Sequence, residues 1–430
     1  MSSPVVEDGL GEPGPGGAGR EAAGGTSAGQ TLQPAGPEIG QGRGPGTDAT
    51  DPDATGLAVA AWSRLTEPGD RAAHALVGAL GYREAWRWVQ RQPDPAAAWQ
   101  LTGAATVRQW ATALARWRPR LATVEPAQEL HAARLLGATL LWPGRPGWSP
   151  ALADLGPDAP LALWVRGEVE LLERAAVGGV ALVGARAATK YGQRIATHLA
   201  EGLAGQGGAV VVSGGAYGID AAAHAGALAI GGATVAFLAG GLDRLYPVGN
   251  RDLLQRISRA GALVSECPPG TSPSRVRFLL RNRLIAAATR ATIVVEAAAR
   301  SGALNTARQA TDLLRPVGAV PGPLGSDLSV GCHGLIRDGA TLIGSVADAR
   351  ELLGPIAVTA APGNPDDGVV DGLRDNERRV YDALPTRAAR PADALAASAG
   401  LSVAEVRASL GVLALLGKVE RTQAGQWRRT

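Results

Sequence analysis

VALVGARAATKYG, residues 180–192, is an apolar run that ends on a glycine and passes into a helix start. The same pattern recurs down the chain in AVVVSG (209–214), TVAFLAG (234–240), ALVSE (262–266), ATIVVEA (291–297) and PVGAVPG (316–322). Runs rich in Val and Ile with no polar alternation read as strands buried on both faces. The stretches between them are of helix length. Together they predict an α/β fold, a doubly wound and mainly parallel sheet. In such sheets ligands sit beyond the carboxyl ends of the strands, so the βα loops are where binding residues belong.

The chain's 430 residues suggest about three domains. Residues 1–56 are rich in Gly and Pro, lack aromatics and are acidic; they read as a disordered tail. Residues 57–160 hold most of the 10 tryptophans among helix formers, which predicts a small helical domain. Leu76–Gly81 suggests a helix-hairpin-helix within it, and a plain bundle with a Trp core is the alternative. The sheet domain occupies 161–355 and a Pro/Gly/Asp linker 356–372. Residues 373–430 give three helix-sized segments and a short polar ribbon, the outline of a winged helix in which Ser402 caps the recognition helix.

Composition excludes several classes. Cys267 and Cys332 have neither disulfide-framework nor metal spacing. The start has no basic or apolar leader, and Ala216–Leu242 is broken by Asp220, His224 and two glycines. The expectation is a cytoplasmic protein with no membrane contact, cofactor or metal. Net charge is only +3, and a GC-rich genome accounts for arginine replacing lysine.

Three loops carry the candidate site. In the first, Gly184 allows close backbone approach, Arg186 and Lys190 add charge, and Thr189 caps a helix whose N-terminus favours an anion. In the second, Ser213, Gly214 and Gly215 offer a hydroxyl and two amides to another phosphate. Asp220 and His224, four apart on one helix face, form either an acid/base dyad or a structural anchor. The third, LAGGLDRLYPVGN (238–250), again ends a strand in glycines, and beyond these loops lies the most informative stretch, CPPGTSPSRVRFLLRNRLIAAATR (267–290): five arginines around Phe278, with no acid between Glu266 and Glu296. Guanidinium groups grip phosphates and an exposed ring stacks on bases, so the run describes a single-strand nucleic acid groove. The alternative puts Phe278 in the core and the arginines on a solvated face. No nucleophile–base arrangement stands out.

These motifs, in order VGARAATKYG, VVSGGAYGIDAAAHAGAL, AGGLDRLYP, LVSECPPGTSPS, FLLRNRLIAA, VVEAAARSGALNTARQA and VPGPLGS, resemble the DprA/Smf family of DNA-processing proteins over residues 161–345. The resemblance implies an extended Rossmann domain that binds single-stranded DNA and loads RecA recombinase during natural transformation, as a homodimer joined through that domain. By motif it assigns DNA contacts to Arg186, Lys190, Ser213, Gly214, Arg275, Phe278, Arg281, Asn282 and Arg283. Ala185 stands where the family usually has a hydroxyl residue, and Leu279 where it more often has proline; both imply a modest loss of contacts.

Two other functions compete. A nucleotide-binding enzyme resembling nucleoside-monophosphate phosphoribohydrolases would use Glu296 as its acid, but VEAAARSGALNTA lacks that group's PGG-x-GT loop. A transcription factor built on the winged helix leaves the sheet domain without a task.

Overall fold

Nine strands form one sheet: β1 (Ala138–Leu141), β2 (Leu163–Gly167), β3 (Gly179–Val183), β4 (Val210–Ser213), β5 (Thr234–Leu238), β6 (Ala262–Ser265), β7 (Ala291–Val294), β8 (Val317–Ala319) and β9 (Thr341–Leu342). The structure, a computed structural model, describes residues 52–205, 208–354, 373, 375–385, 388–422 and 425–429. Most of the tail expected at 1–56 and all of the linker expected at 356–372 lie outside the described residues.

The strand order is β1-β2-β6-β5-β4-β3-β7-β8-β9. From β6 to β9 neighbouring strands run parallel, while β2 joins β6, and β1 joins β2, antiparallel. The two-residue period sends alternate side chains of β3 to opposite layers. Val180 and Leu182 pack with Leu199 and Ala223; Ala181 and Val183 pack with Leu284 and Ala307. Helices thus cover both faces, which is why these strands carry no polar alternation. The chain progresses outward in one direction from β3 and in the other from β7. Their loops therefore splay apart, and a crevice opens between them.

The six expected strands are all present. The sequence reading missed β1, β2 and β9. β1 lies inside the stretch expected to be wholly helical, so the sheet begins before residue 161. Ahead of it, the helices Pro52–Leu65, Arg71–Gln90, Pro95–Thr102, Val107–Leu121 and Pro126–Leu135 enclose Trp62, Trp110 and Trp117. Their rings meet edge to face at 5.6 and 6.3 Å. Gly81, with φ of 75°, kinks the helix Arg71–Gln90, and Leu76 and Val77 just before it belong to this core. Trp164 of β2 donates to Ser63 Oγ at 2.9 Å, tying the helices to the sheet.

The helices Asp375–Ala383, Ala392–Ala399 and Val403–Leu415, followed by the antiparallel pair β10 (Val419–Arg421) and β11 (Trp427–Arg429), make the winged helix around Val380, Leu395, Val406 and Leu410. Ser402 caps Val403–Leu415 through a reciprocal box with Glu405. Among the described residues no single helix is long and apolar enough to cross a membrane.

Candidate nucleic-acid interface

A cleft of about 800 Å³ opens at the β3/β7 divergence. One wall is the loop after β3, with Gly184, Ala185 and Arg186. The other is the loop after β7 and the start of the helix Gly302–Asp312, with Ala298, Arg300, Ser301 and Asn305. The helix Arg275–Ala287 contributes Arg275, Phe278, Arg281 and Asn282, and the loop after β5 adds Tyr246. Four guanidinium groups face one lining carboxylate, Asp220, so the cleft favours an anionic ligand.

Arg281 is the deepest of these cations, 6% exposed. Its Nη1 donates to the Phe237 carbonyl, while its Nε has no hydrogen-bond partner. Burial, and secondarily the nearby Arg186, lowers its pKa to about 10, against the opposing pull of Asp220. A Cβ on Gly214 would stand 2.1 Å from Arg281 Nη1, so the glycine makes room for this side chain. Arg186 is exposed at the rim, its guanidinium carbon 4.9 Å from the Phe278 ring centre. Arg281 lies 5.9 Å from the same ring. Phe278 is half-buried at the cleft wall and belongs to none of the core clusters. Asn282 holds the opposite wall, its Nδ2 donating to the Gly302 carbonyl at 3.2 Å.

Other expected site residues have internal partners. Ser213 is fully buried and its hydroxyl donates to the Leu182 carbonyl at 2.7 Å, stitching β4 to β3. The Gly214 amide donates to Asp220 Oδ2 at 3.1 Å, and the Gly215 amide to His224 Nε2 at 3.3 Å. The expectation that this hydroxyl and these amides are free for a phosphate is therefore corrected. Asp220 and His224 are anchors rather than a dyad. Asp220 accepts from Gly214 and Ala216, and His224 Nδ1 pairs with Thr234 Oγ1 at 2.7 Å. Burial, reinforced by Arg281, pushes His224 down to about 3, so its ring stays neutral; burial raises the Asp220 carboxyl.

The anion expected at the helix Lys190–Ala204 is supplied from within. Glu296, 4% exposed, accepts from the Thr189 amide at 2.9 Å and from Thr189 Oγ1 at 2.5 Å. A Cβ on Gly192 would lie 2.3 Å from its carboxylate. Lys190 is exposed beside this terminus and does not line the cleft.

The arginine run divides. Arg283, 5% exposed, forms two 2.8 Å bonds to Glu266 and donates from Nε to the Asp158 carbonyl at 2.9 Å. Arg277 grips Glu67. These two are structural, with acids drawn from other parts of the chain; Arg275 and Arg281 face the cleft. Sequence reasoning missed Tyr246, Arg300 and Asn305. The signal for Tyr246 was present: an aromatic in AGGLDRLYP, a loop already known to end a strand.

Fold and cleft together define a Rossmann-type domain with an arginine-rich, aromatic-lined cleft at its β3/β7 switch point. The family model described as DNA recombination-mediator protein A matches residues 139–354, and the DprA winged helix domain matches 364–425. A putative DNA processing protein DprA of Mycobacterium tuberculosis is 42% identical over 386 residues, covering 87% of this chain and 95% of that protein. Protein Smf of Escherichia coli is 35% identical, over 63% of this chain and 72% of its own length. The X-ray structure of DprA from Streptococcus pneumoniae superposes with a TM-score of 0.55 at 31% identity, covering 69% of this chain and 96% of that one. The chain belongs to the DprA/Smf family, and a role in DNA processing and recombination mediation follows from that membership.

Proposed function

We propose that the chain binds single-stranded DNA in the β3/β7 cleft and delivers it to a RecA-type recombinase, as a homodimer joined through the sheet domain. The observation that carries the DNA reading is the cleft itself. Arg186, Arg275, Arg281 and Arg300 surround aromatic rings with one buried carboxylate among them. Phosphates meet guanidinium groups while bases meet π-faces, and neither contact reads sequence. Recombinase loading and the dimer rest on family membership alone. Within the cleft Gly184, Arg186, Arg275, Arg281 and Asn282 are the proposed contacts, with Phe278 part of the aromatic wall between them and Lys190 reaching a flanking phosphate. The chain acts by binding rather than catalysis: Asp220, His224 and Glu296 are all committed to internal partners.

Anisotropy titration of a fluorescent dT oligomer against a duplex of equal length, at two salt concentrations, tests the reading. The dT oligomer binds more tightly, with a log–log salt slope of about −0.7 for each phosphate neutralised. Equal affinity for duplex, or no salt dependence, overturns it.

A further inference from the structure

The rings at the cleft are not equally available to a base. Phe278 is half-buried, with the Arg186 guanidinium 4.9 Å from its centre, Arg281 at 5.9 Å and the Tyr246 ring at 5.8 Å, tilted by 52°. That centroid separation leaves no room for a base between the two rings, since a sandwiched base needs about 7 Å, twice the van der Waals contact distance. Tyr246 lines the same cleft and is 48% exposed. It stands on the loop after β5, four residues before Asn250, whose Nδ2 donates to the carbonyls of Gly215 and Ala216 at 3.0 Å each. The Gly249 amide donates to Tyr217 Oη at 3.1 Å, so the loop is pinned at both positions to the loop after β4. The tyrosine is an open aromatic face on a braced loop.

We infer that Tyr246 is the base-stacking platform of the cleft and that Phe278 is a positioning residue, a pillar seating Tyr246 on one side and the Arg186 guanidinium on another. The inference rests on the single-strand reading and adds to it the residue that meets the base. A strand crossing the cleft lays a base on Tyr246 while the adjoining phosphate reaches Arg186. Any base suffices, because every base has a π-face.

The test uses the full chain with two labelled probes of equal length and charge, a dT oligomer and an abasic oligomer. Wild type prefers dT. Tyr246→Ala removes that preference, weakening dT binding about 5- to 150-fold, the range that stacking of one base spans, while abasic binding and the salt slope stay as they were. Tyr246→Phe restores the ring and the preference. Tyr246→Leu keeps apolar bulk without a π-face; it repeats the alanine result and serves if the alanine variant is unstable. Phe278→Ala loses the preference and also part of the salt slope, because Arg186 loses its seat. An unchanged dT preference in folded Tyr246→Ala, with Phe278→Ala losing it at an unaltered salt slope, puts the base on Phe278 and overturns the platform alone. Wild type that binds neither probe overturns the single-strand reading and the platform with it.

Discussion

Glu67 and Arg277, 210 residues apart in the chain, meet through two N–H···O bonds of 2.9 Å. The pair ties the helical region to the first turn of the helix Arg275–Ala287, one residue from Phe278. Burial acts to raise the Glu67 carboxyl, yet hydrogen bonds and charge from Arg277 and Arg120 outweigh it, and its pKa falls below the usual value. A carboxyl lowered in the folded state stabilises fully above its unfolded pKa, and that stabilisation is lost as pH drops through the folded value. Wild type therefore melts above Glu67→Gln at neutral pH, and the gap closes under acid. Both partners are partly exposed, so the gap corresponds to less than about 1 kcal/mol and shrinks with salt. A gap that survives at pH 2 rules out ionisation of Glu67 as its source.

Three arginines of similar appearance in sequence should separate by experiment. Arg283→Ala strands Glu266 in a buried site and costs about 3–5 kcal/mol of stability. Arg186→Ala, at an exposed rim, leaves the melting temperature in place while DNA affinity drops and the salt slope flattens by about 0.7. Arg281→Ala does both. Melting curves and anisotropy titrations on the same preparations check the division; an Arg283 variant with wild-type stability would be incompatible with its ion pair.

Gly214→Ala drives a methyl group into the Arg281 guanidinium. The side chain has to leave its seat under Phe278, at an overpacking cost of about 1–3 kcal/mol. DNA binding should fall in this variant although it removes no charge. A crystal structure with Arg281 unmoved would show that the room comes from elsewhere.

Glu296→Gln replaces an acceptor of the Thr189 amide with a group that presents N–H on one side. The expected loss is about 1–3 kcal/mol of stability from a poorly satisfied buried site. Neither wild type nor this variant releases free base from nucleoside monophosphates. Turnover in wild type that vanishes in Glu296→Gln would return the chain to the enzymes.

The sheet was legible because fully buried parallel strands leave a continuous apolar signature, as at Val180–Val183 and Val210–Val212. β1 and β2 were not. ATLL sits amid helix formers, and an antiparallel pair added at a sheet edge is decided by partners about a hundred residues away. Of the residues that line the cleft, Arg186, Arg275, Phe278 and Arg281 could be found from charge, glycine spacing and an aromatic inside an acid-free arginine run. The structural duty of Arg277 and Arg283 could not, since Glu67, 210 residues away, and Glu266, just ahead of the run, meet them only once the chain has folded. Ser213 misled for a related reason: a hydroxyl ending a strand looks available until the neighbouring carbonyl of Leu182 is in place.

The carboxylate of Glu296 at the Thr189 turn also bears on competition inside a cell. Free nucleotides are abundant, and a fold with an open helix terminus would hold them at that one strong anchor. Here the anchor is already filled by the protein's own side chain. If the cleft holds single-stranded DNA as proposed, a lone nucleotide is left with a few scattered contacts, whereas a polymer adds one modest contact to the next along the cleft. Discrimination by ligand length, independent of base identity, would then need no gate: the metabolite pool would be excluded by the molecule satisfying itself first.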